Sequence, residues 1–316
     1  MPTFGKRAQN DRQLVKPCAN PGPEPRGETL ADSIVDPGKA RTHCADRNAA
    51  AECSTGPVRL AAIDLDGTLV RSDGTVSERS HAALQRAMKS GIEIVFITAR
   101  GPHSVGELAA ELGVRGEAIC SNGAIVLDLA TREVIRTRTI ETEVALSLVH
   151  ALRERLPGIV FAVERERLAH EPGFETDWPL PADTLILDAV ALLEEPAAKL
   201  ILRHADHEVD VLVAVAKEIA GESAFVSTSG GAYVEISAAG VNKASALAEL
   251  CEGRHIAPDE VIAFGDQLND VPMLTWAGRG VAVANAHPDV AGFADEVTKS
   301  NDEDGVALVL ERVAPN

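Results

Sequence analysis

Residues 58–69 set a short apolar run, Leu60-Ala61-Ala62-Ile63, directly against two carboxylates and a glycine, Asp64-Leu65-Asp66-Gly67. An apolar run of that length, bounded by a turn signal, reads as a strand buried on both faces of a sheet. If the strand persists through Asp64, then Asp64 and Asp66 project to one side while Leu65 points away. Two like charges that close together are unfavourable unless something positive lies between them. A solvated acidic turn is the plainer reading of the same residues. An EF-hand calcium loop fails, because its sixth position is Leu69 rather than glycine and its twelfth is Thr75 rather than glutamate.

An α/β rhythm follows. After the turn Ser72-Asp73-Gly74-Thr75, Ser77 can cap a helix to about Ser90, with Leu84, Ala87 and Met88 facing inward and Gly91 as the stop. A strand over 92–97 ends at Thr98-Ala99-Arg100-Gly101, and a helix over 103–112 closes at Gly113. A third short strand, 118–120, runs into Ser121-Asn122-Gly123. Strands and helices alternating with short links predict a parallel sheet with right-handed crossovers. No G-x-G-x-x-G or Walker sequence follows the first strand, so nucleotide-cofactor readings have no support.

Between about 139 and 235 the pattern becomes α+β. A helix over 144–156 leads to strands at 159–163 and 167–170, a loop broken by prolines, a strand at 199–203, a helix at 209–220, and strands at 225–228 and 232–236. The first rhythm then resumes. Asn242 caps a helix from Lys243 to Glu252 ended by Gly253, and a strand over 261–264 runs into Gly265-Asp266-Gln267-Leu268-Asn269-Asp270. A helix through Met273 and Leu274 and a last strand at 280–283 complete it.

The polar residues at these junctions define a candidate site. In an open α/β sheet, ligands bind in the crevice at the carboxyl ends of the strands. Asp64 and Asp66 end the first strand, Thr98 the second, and Asp266 and Asp270 follow the fourth. Lys243 near a helix N-terminus opposes the helix dipole by roughly 0.3–1 kcal/mol, so its position suits a neighbouring anion. Singly, Thr98 could merely cap a turn, Lys243 could be a surface charge, and Gly-Asp-x-x-Asn-Asp could be an ordinary loop.

Together, in this order, they resemble the haloacid dehalogenase (HAD) superfamily, whose first motif is similar to Asp64-Leu65-Asp66-Gly67-Thr68-Leu69. The resemblance covers about residues 58–312, and the α+β insert falls where Cof-type phosphatases of that superfamily carry their larger cap. It implies an α/β fold with a doubly wound parallel-sheet core (58–138 and 236–316) and an inserted α+β cap domain (139–235). It also implies a role for each residue. Asp64 is the nucleophile and Asp66 the general acid/base. Thr98 binds a phosphoryl oxygen, and Lys243 neutralises phosphate and nucleophile. Asp64, Asp266 and Asp270, with the Asp66 backbone carbonyl, form the metal set, and Asn269 binds phosphate. Oxygen ligands without His or Cys select Mg²⁺ over Zn²⁺. Arg100, Asn122 and Gly123 are candidate substrate contacts, Asn285 resembles a segment near the metal, and Gln267 occupies a variable position without a role. The implied activity is a Mg²⁺-dependent phosphatase of small phosphorylated metabolites, sugar phosphates foremost, acting through an aspartyl-phosphate. A phosphomutase or phosphotransferase of the phosphomannomutase kind and a non-catalytic phospho-ligand binder are the alternatives.

Composition narrows the partners. A formal net charge of −18 over 316 residues argues against nucleic-acid or anionic-membrane surfaces. It also requires a local reversal of sign, most simply a bound cation, wherever an anionic substrate binds. No apolar run is long enough to span a membrane, and the N-terminus lacks a signal-peptide core. Five cysteines, at 18, 44, 53, 120 and 251, suggest no disulfide framework, so a cytoplasmic location is expected. Nothing in the sequence sets an oligomeric state. Residues 1–57 hold seven of the 17 prolines and few large apolar residues, which predicts a disordered extension. Within it, Cys18, His43, Cys44 and Cys53 match no familiar zinc spacing.

Overall fold

The structure, a computed structural model, describes residues 57–314. The expectations for the N-terminal extension and its cysteines therefore lie outside the described residues, Pro57 excepted.

Strand β1 (Leu60–Ile63) is buried throughout. Helix α1 (Glu78–Lys89) begins at Ser77, whose hydroxyl accepts from the Ser80 N–H, and buries Ala83, Leu84 and Ala87; Met88 is only partly covered. Strand β2 (Glu93–Phe96) lies parallel to β1 with Ile63 opposite Phe96. Helix α2 (Pro102–Leu112) ends at Gly113 in the left-handed conformation, the backbone state that glycine adopts at no steric cost.

Strand β3 (Glu117–Cys120) departs from the expected parallel crossover. A single parallel bridge, Ile97 to Ile119, ties it to the end of β2. The chain then folds back into a three-stranded antiparallel sheet with β4 (Ile125–Asp128) and β5 (Val134–Thr137), two strands that the periodicity did not reveal. Three successive residues with positive φ, Ser121 (51°), Asn122 (57°) and Gly123 (103°), reverse the chain at this point.

The insert comprises α3 (Thr142–Arg155), β6 (Val160–Glu164), β7 (Leu168–His170), α4 (Ala189–Leu192), β8 (Lys199–Arg203), α5 (Val209–Ala220), β9 (Ala224–Ser227) and β10 (Val234–Ala238). Its strands form an antiparallel sheet in the order β7-β6-β8-β10-β9. Strand alternation divides the sheet into two faces. Phe161, Val163, Leu200, Leu202, Val226, Val234 and Ile236 pack beneath α3 and α5. The opposite face carries Glu164, Lys199, Ser227, Glu235 and Ser237, with Phe174 and Tyr233 packing on Ala162 and Ile201.

Helix α6 (Lys243–Gly253), strand β11 (Val261–Gly265), helix α7 (Val271–Trp276), strands β12 (Arg279–Ala282) and β13 (Glu296–Val297) and helix α8 (Gly305–Val313) complete the described chain. The parallel sheet has the order β13-β12-β11-β1-β2. Alternate residues of β1 feed two layers. Ala61 and Ile63 pack with Leu84 of α1 and Leu310 of α8, whereas Leu60 and Ala62 pack with Leu247 of α6 and Leu274 of α7. Helices on both faces make the sheet doubly wound. The carboxyl ends of β1, β2 and β11 thereby share one edge, and the polar face of the insert's sheet meets it there. No helix among the described residues is long and apolar enough to cross a membrane.

Candidate active site

The Asp64 N–H donates to the Phe264 carbonyl at 3.1 Å, which carries the ladder one residue past β1 and fixes the carboxylate below the surface, 5% exposed. Lys243 opens α6. Its Nζ, on a side chain 2% exposed, donates to Asp64 Oδ1 at 2.7 Å and Asp270 Oδ1 at 2.6 Å. The other Asp270 oxygen accepts from the N–H groups of Asp266 (3.0 Å) and Gln267 (2.9 Å), tying the loop after β11 into a compact turn. Asp266 in turn accepts from Thr68 Oγ1 at 2.6 Å and from Gln267 Nε2 at 2.9 Å. Gln267, given no role on sequence grounds, thus orients a candidate metal ligand.

Asp64, Asp266 and Asp270 are all buried, and each brings a carboxylate oxygen within 4.8 Å of the others. Burial pushes the Asp64 carboxyl well above its usual range; Lys243 works against this, while Asp270 and Asp266 add to it. Burial and Asp270 likewise raise Asp266 to about 6. Burial disfavours the Lys243 ammonium, but Asp270 and Asp64 outweigh it and hold the lysine firmly charged. Three buried carboxylates facing one lysine leave negative charge uncompensated, which is costly in a low-dielectric site. A hard divalent cation fits this all-oxygen donor set.

Asp66 lies elsewhere. Because β1 ends at Ile63, strand alternation does not carry through to it, and its side chain, 58% exposed, is not part of that carboxylate group. Arg100 clamps it with two hydrogen bonds, Nε to Oδ2 at 2.7 Å and Nη2 to Oδ1 at 2.5 Å. Thr98 is buried, and its hydroxyl accepts from the Arg100 N–H at 3.1 Å. Asn122 Nδ2 donates to Glu235 Oε2 at 2.9 Å, and Asn122 Oδ1 accepts from Asn269 Nδ2 at 3.0 Å. At Gly123, a Cβ would stand 2.4 Å from the carbonyl of Asn242, the residue that caps α6. Asn285 donates to the Gly67 carbonyl at 2.7 Å and so braces the turn that holds Asp66.

The sequence reading passed over Glu164, Lys199 and Glu235. Lys199 Nζ donates to Glu235 Oε1 at 2.7 Å and to the Ala99 carbonyl at 2.8 Å, and lies 3.1 Å from Glu164 Oε2. The available signal was a charge in alternation with large apolar residues, at the end of β6 (Glu164), the start of β8 (Lys199) and the second position of β10 (Glu235).

Buried oxygen donors and a charge-neutralising lysine, gathered at the carboxyl edge of a doubly wound sheet, mark a class of α/β enzymes built to handle anionic esters. The chain belongs to the haloacid dehalogenase-like hydrolase family, whose model matches residues 61–310. It is 30% identical to phosphatase YwpJ of Bacillus subtilis over 81% of this chain and 100% of that protein. It is 29% identical to the pyridoxal phosphate phosphatase YbhA of Escherichia coli over 80% of this chain and 97% of that one. A solved haloacid dehalogenase-like hydrolase from B. subtilis superposes with a TM-score of 0.69 at 25% identity, covering 80% of this chain and 99% of that one. The insert is the α+β cap of a Cof-type member, and the enzyme is a phosphoric monoester hydrolase.

Proposed function

We propose that this enzyme is a Mg²⁺-dependent phosphatase of small phosphorylated metabolites, sugar phosphates foremost, that works through phosphorylated Asp64. The observation that carries the reading is Lys243, buried and bridging Asp64 and Asp270 within the carboxylate group. Asp64, Asp266 and Asp270, with the Asp66 carbonyl, would hold Mg²⁺. When bound, the ion supplies charge stabilisation for the phosphoryl oxygens.

The remaining steps fall to the chain's own residues. An Asp64 oxygen forms a bond to phosphorus as the ester P–O bond breaks. Asp66, at the rim beside Arg100, gives a proton to the departing alkoxide. It later takes one from the water that releases phosphate and regenerates the Asp64 carboxylate. Lys243, the Thr98 hydroxyl and Asn269 hold the phosphoryl oxygens and Arg100 lines the path of the leaving group, while Asn122 and Gly123 stand behind Asn269 and the start of α6. The division into core (58–138 and 236–316) and cap (139–235) belongs to the same reading, with the cap excluding bulk water. Ser227 and Ser237 on the cap face carry hydroxyls without protein partners, suited to a hydroxyl-rich leaving group. The acidic surface suits a small metabolite in the cytoplasm rather than nucleic acid or membrane.

The test is phosphate release from a panel of hexose and pentose phosphates and pyridoxal 5′-phosphate, with and without Mg²⁺. Release dependent on Mg²⁺, highest for the sugar phosphates and abolished by Asp64→Asn, is expected. Isomerisation of a hexose phosphate without release, or substantial turnover by Asp64→Asn, would overturn the reading.

A further inference from the structure

Asn122 occupies an expensive position. Ser121 and Asn122 both have positive φ, a conformation that L side chains rarely adopt and that persists where the surroundings enforce it. The surroundings do so here. The Ser121 N–H donates to the Arg100 carbonyl at 2.9 Å, the Asn122 N–H donates to the Thr98 carbonyl at 3.0 Å, and Gly123 lies against the Asn242 carbonyl. The backbone is thus tied both to the end of β2 and to the helix start that carries Lys243.

The side chain has a matching constraint. Glu235 is 4% exposed and, when ionised, only accepts hydrogen bonds, so Asn122 must turn its NH₂ group toward it. Burial works against the Glu235 charge, but Lys199 outweighs it and holds the carboxyl below its usual range. With its NH₂ so committed, Asn122 presents its carbonyl oxygen to Asn269, which must answer with its own NH₂. The second N–H of that group stays free to donate. Reversing the Asn122 amide would turn Asn269 round and aim a lone pair where an N–H had been. Most buried polar side-chain atoms in folded proteins are paired, so unpaired ones call for explanation. Among the described residues, the buried side-chain atoms without a hydrogen-bond partner include Ser121 Oγ, Asn269 Oδ1, Ser227 Oγ and Ser237 Oγ of this layer, alongside others elsewhere such as Thr275 Oγ1. Ser227 stands opposite Glu235, while Ser237 and Glu164 stand opposite Lys199.

We propose that Glu235 and Asn122 are positioning residues which, through one amide, set the orientation of Asn269 and so couple phosphoryl binding at the loop 266–270 to the seating of the insert's sheet. The coupling rests on the phosphatase reading only for the role of Asn269.

Two measurements test it on the full chain. The first is a double-mutant cycle on kcat/KM for p-nitrophenyl phosphate with Glu235→Gln and Asn122→Ala. A glutamine can present either nitrogen or oxygen, so the orientation rule is lost. Each single change is expected to cost roughly 10–100-fold, as for residues that orient catalytic groups. The pair together should cost little more than the worse single change, because both break one relay. Losses that multiply would overturn the proposal. The second measurement needs no activity: hydrogen exchange of the peptide spanning 266–270 in Glu235→Gln. Faster exchange there is expected, although Glu235 makes no hydrogen bond to that loop. Changes confined to β9 and β10 would overturn it. If Glu235→Gln fails to fold, Glu235→Asp keeps the charge beside Lys199, is one methylene too short to reach Asn122, and should show the same exchange pattern. Absence of phosphate release by the wild-type enzyme would refute the phosphatase reading, and the exchange result would still decide the coupling.

Discussion

Replacing Lys243 with methionine keeps an unbranched side chain only one atom shorter and removes its charge, leaving Asp64 and Asp270 buried without their shared cation. Losing one partner of a buried ion pair typically costs about 3–5 kcal/mol, because the remaining charge is neither solvated nor matched. For a chain of this size, each kcal/mol corresponds to about 2 °C, so the melting temperature should fall by roughly 6–10 °C. The loss should depend on pH in a defined direction. The Asp64 carboxyl already lies above its usual range when folded. A carboxyl raised in the folded state penalises folding fully above its folded pKa, and the penalty disappears as pH falls toward the unfolded value. Removing Lys243 raises it further, so the variant should be weakest near pH 8 and recover part of the loss near pH 5. Urea unfolding of metal-free wild type and variant at both pH values measures this directly. A destabilisation below about 1 kcal/mol, typical of an exposed pair, or one that does not change with pH, would refute the reasoning. Phosphate release should fall by roughly 10²–10³-fold, as when a preorganised charge-stabilising donor is removed.

Three further outcomes are expected. Mg²⁺ at about 100 times its dissociation constant should stabilise the enzyme by about 2.7 kcal/mol, seen as a rise in melting temperature that Asp266→Asn removes. Gly123→Ala should destabilise by at least about 1–3 kcal/mol in urea unfolding, since it adds a Cβ 2.4 Å from the Asn242 carbonyl at a φ of 103°. Arg79→Ala, which breaks a solvent-screened pair with Glu311 between α1 and α8, should leave the urea unfolding midpoint nearly unchanged.

The elements most legible in the sequence were those whose caps and burial leave local marks. β1 is apolar at every position because both its faces are covered, and Ser77, Gly113 and Asn242 stand at the helix ends where their chemistry places them. The β4–β5 hairpin was not legible. Its turn lacks Asn-Gly or Pro and is built on a left-handed Arg132 and an Asp128 carboxylate accepting two backbone N–H groups. Helix α8 begins after Asp304 at a φ of 62° and carries the run Val306-Ala307-Leu308-Val309-Leu310, which suits a strand as well as a helix. At the site, the order of Asp64, Thr98, Lys243 and Asp266 along the strand ends was readable because topology alone converges them. The Arg100 clamp on Asp66 and the contacts of Lys199, Glu235 and Asn122 were not, since they join residues 34 to 147 positions apart.

The central claim is that Asp64 itself carries the phosphoryl group during turnover. Acid-quenching the enzyme in the steady state with Mg²⁺ and p-nitrophenyl phosphate, then mapping its peptides by mass spectrometry, tests this directly. One added phosphoryl group on the peptide containing Asp64, absent from Asp64→Asn, is the expected result. Turnover with that peptide unmodified throughout, or with the label on another residue, would contradict it.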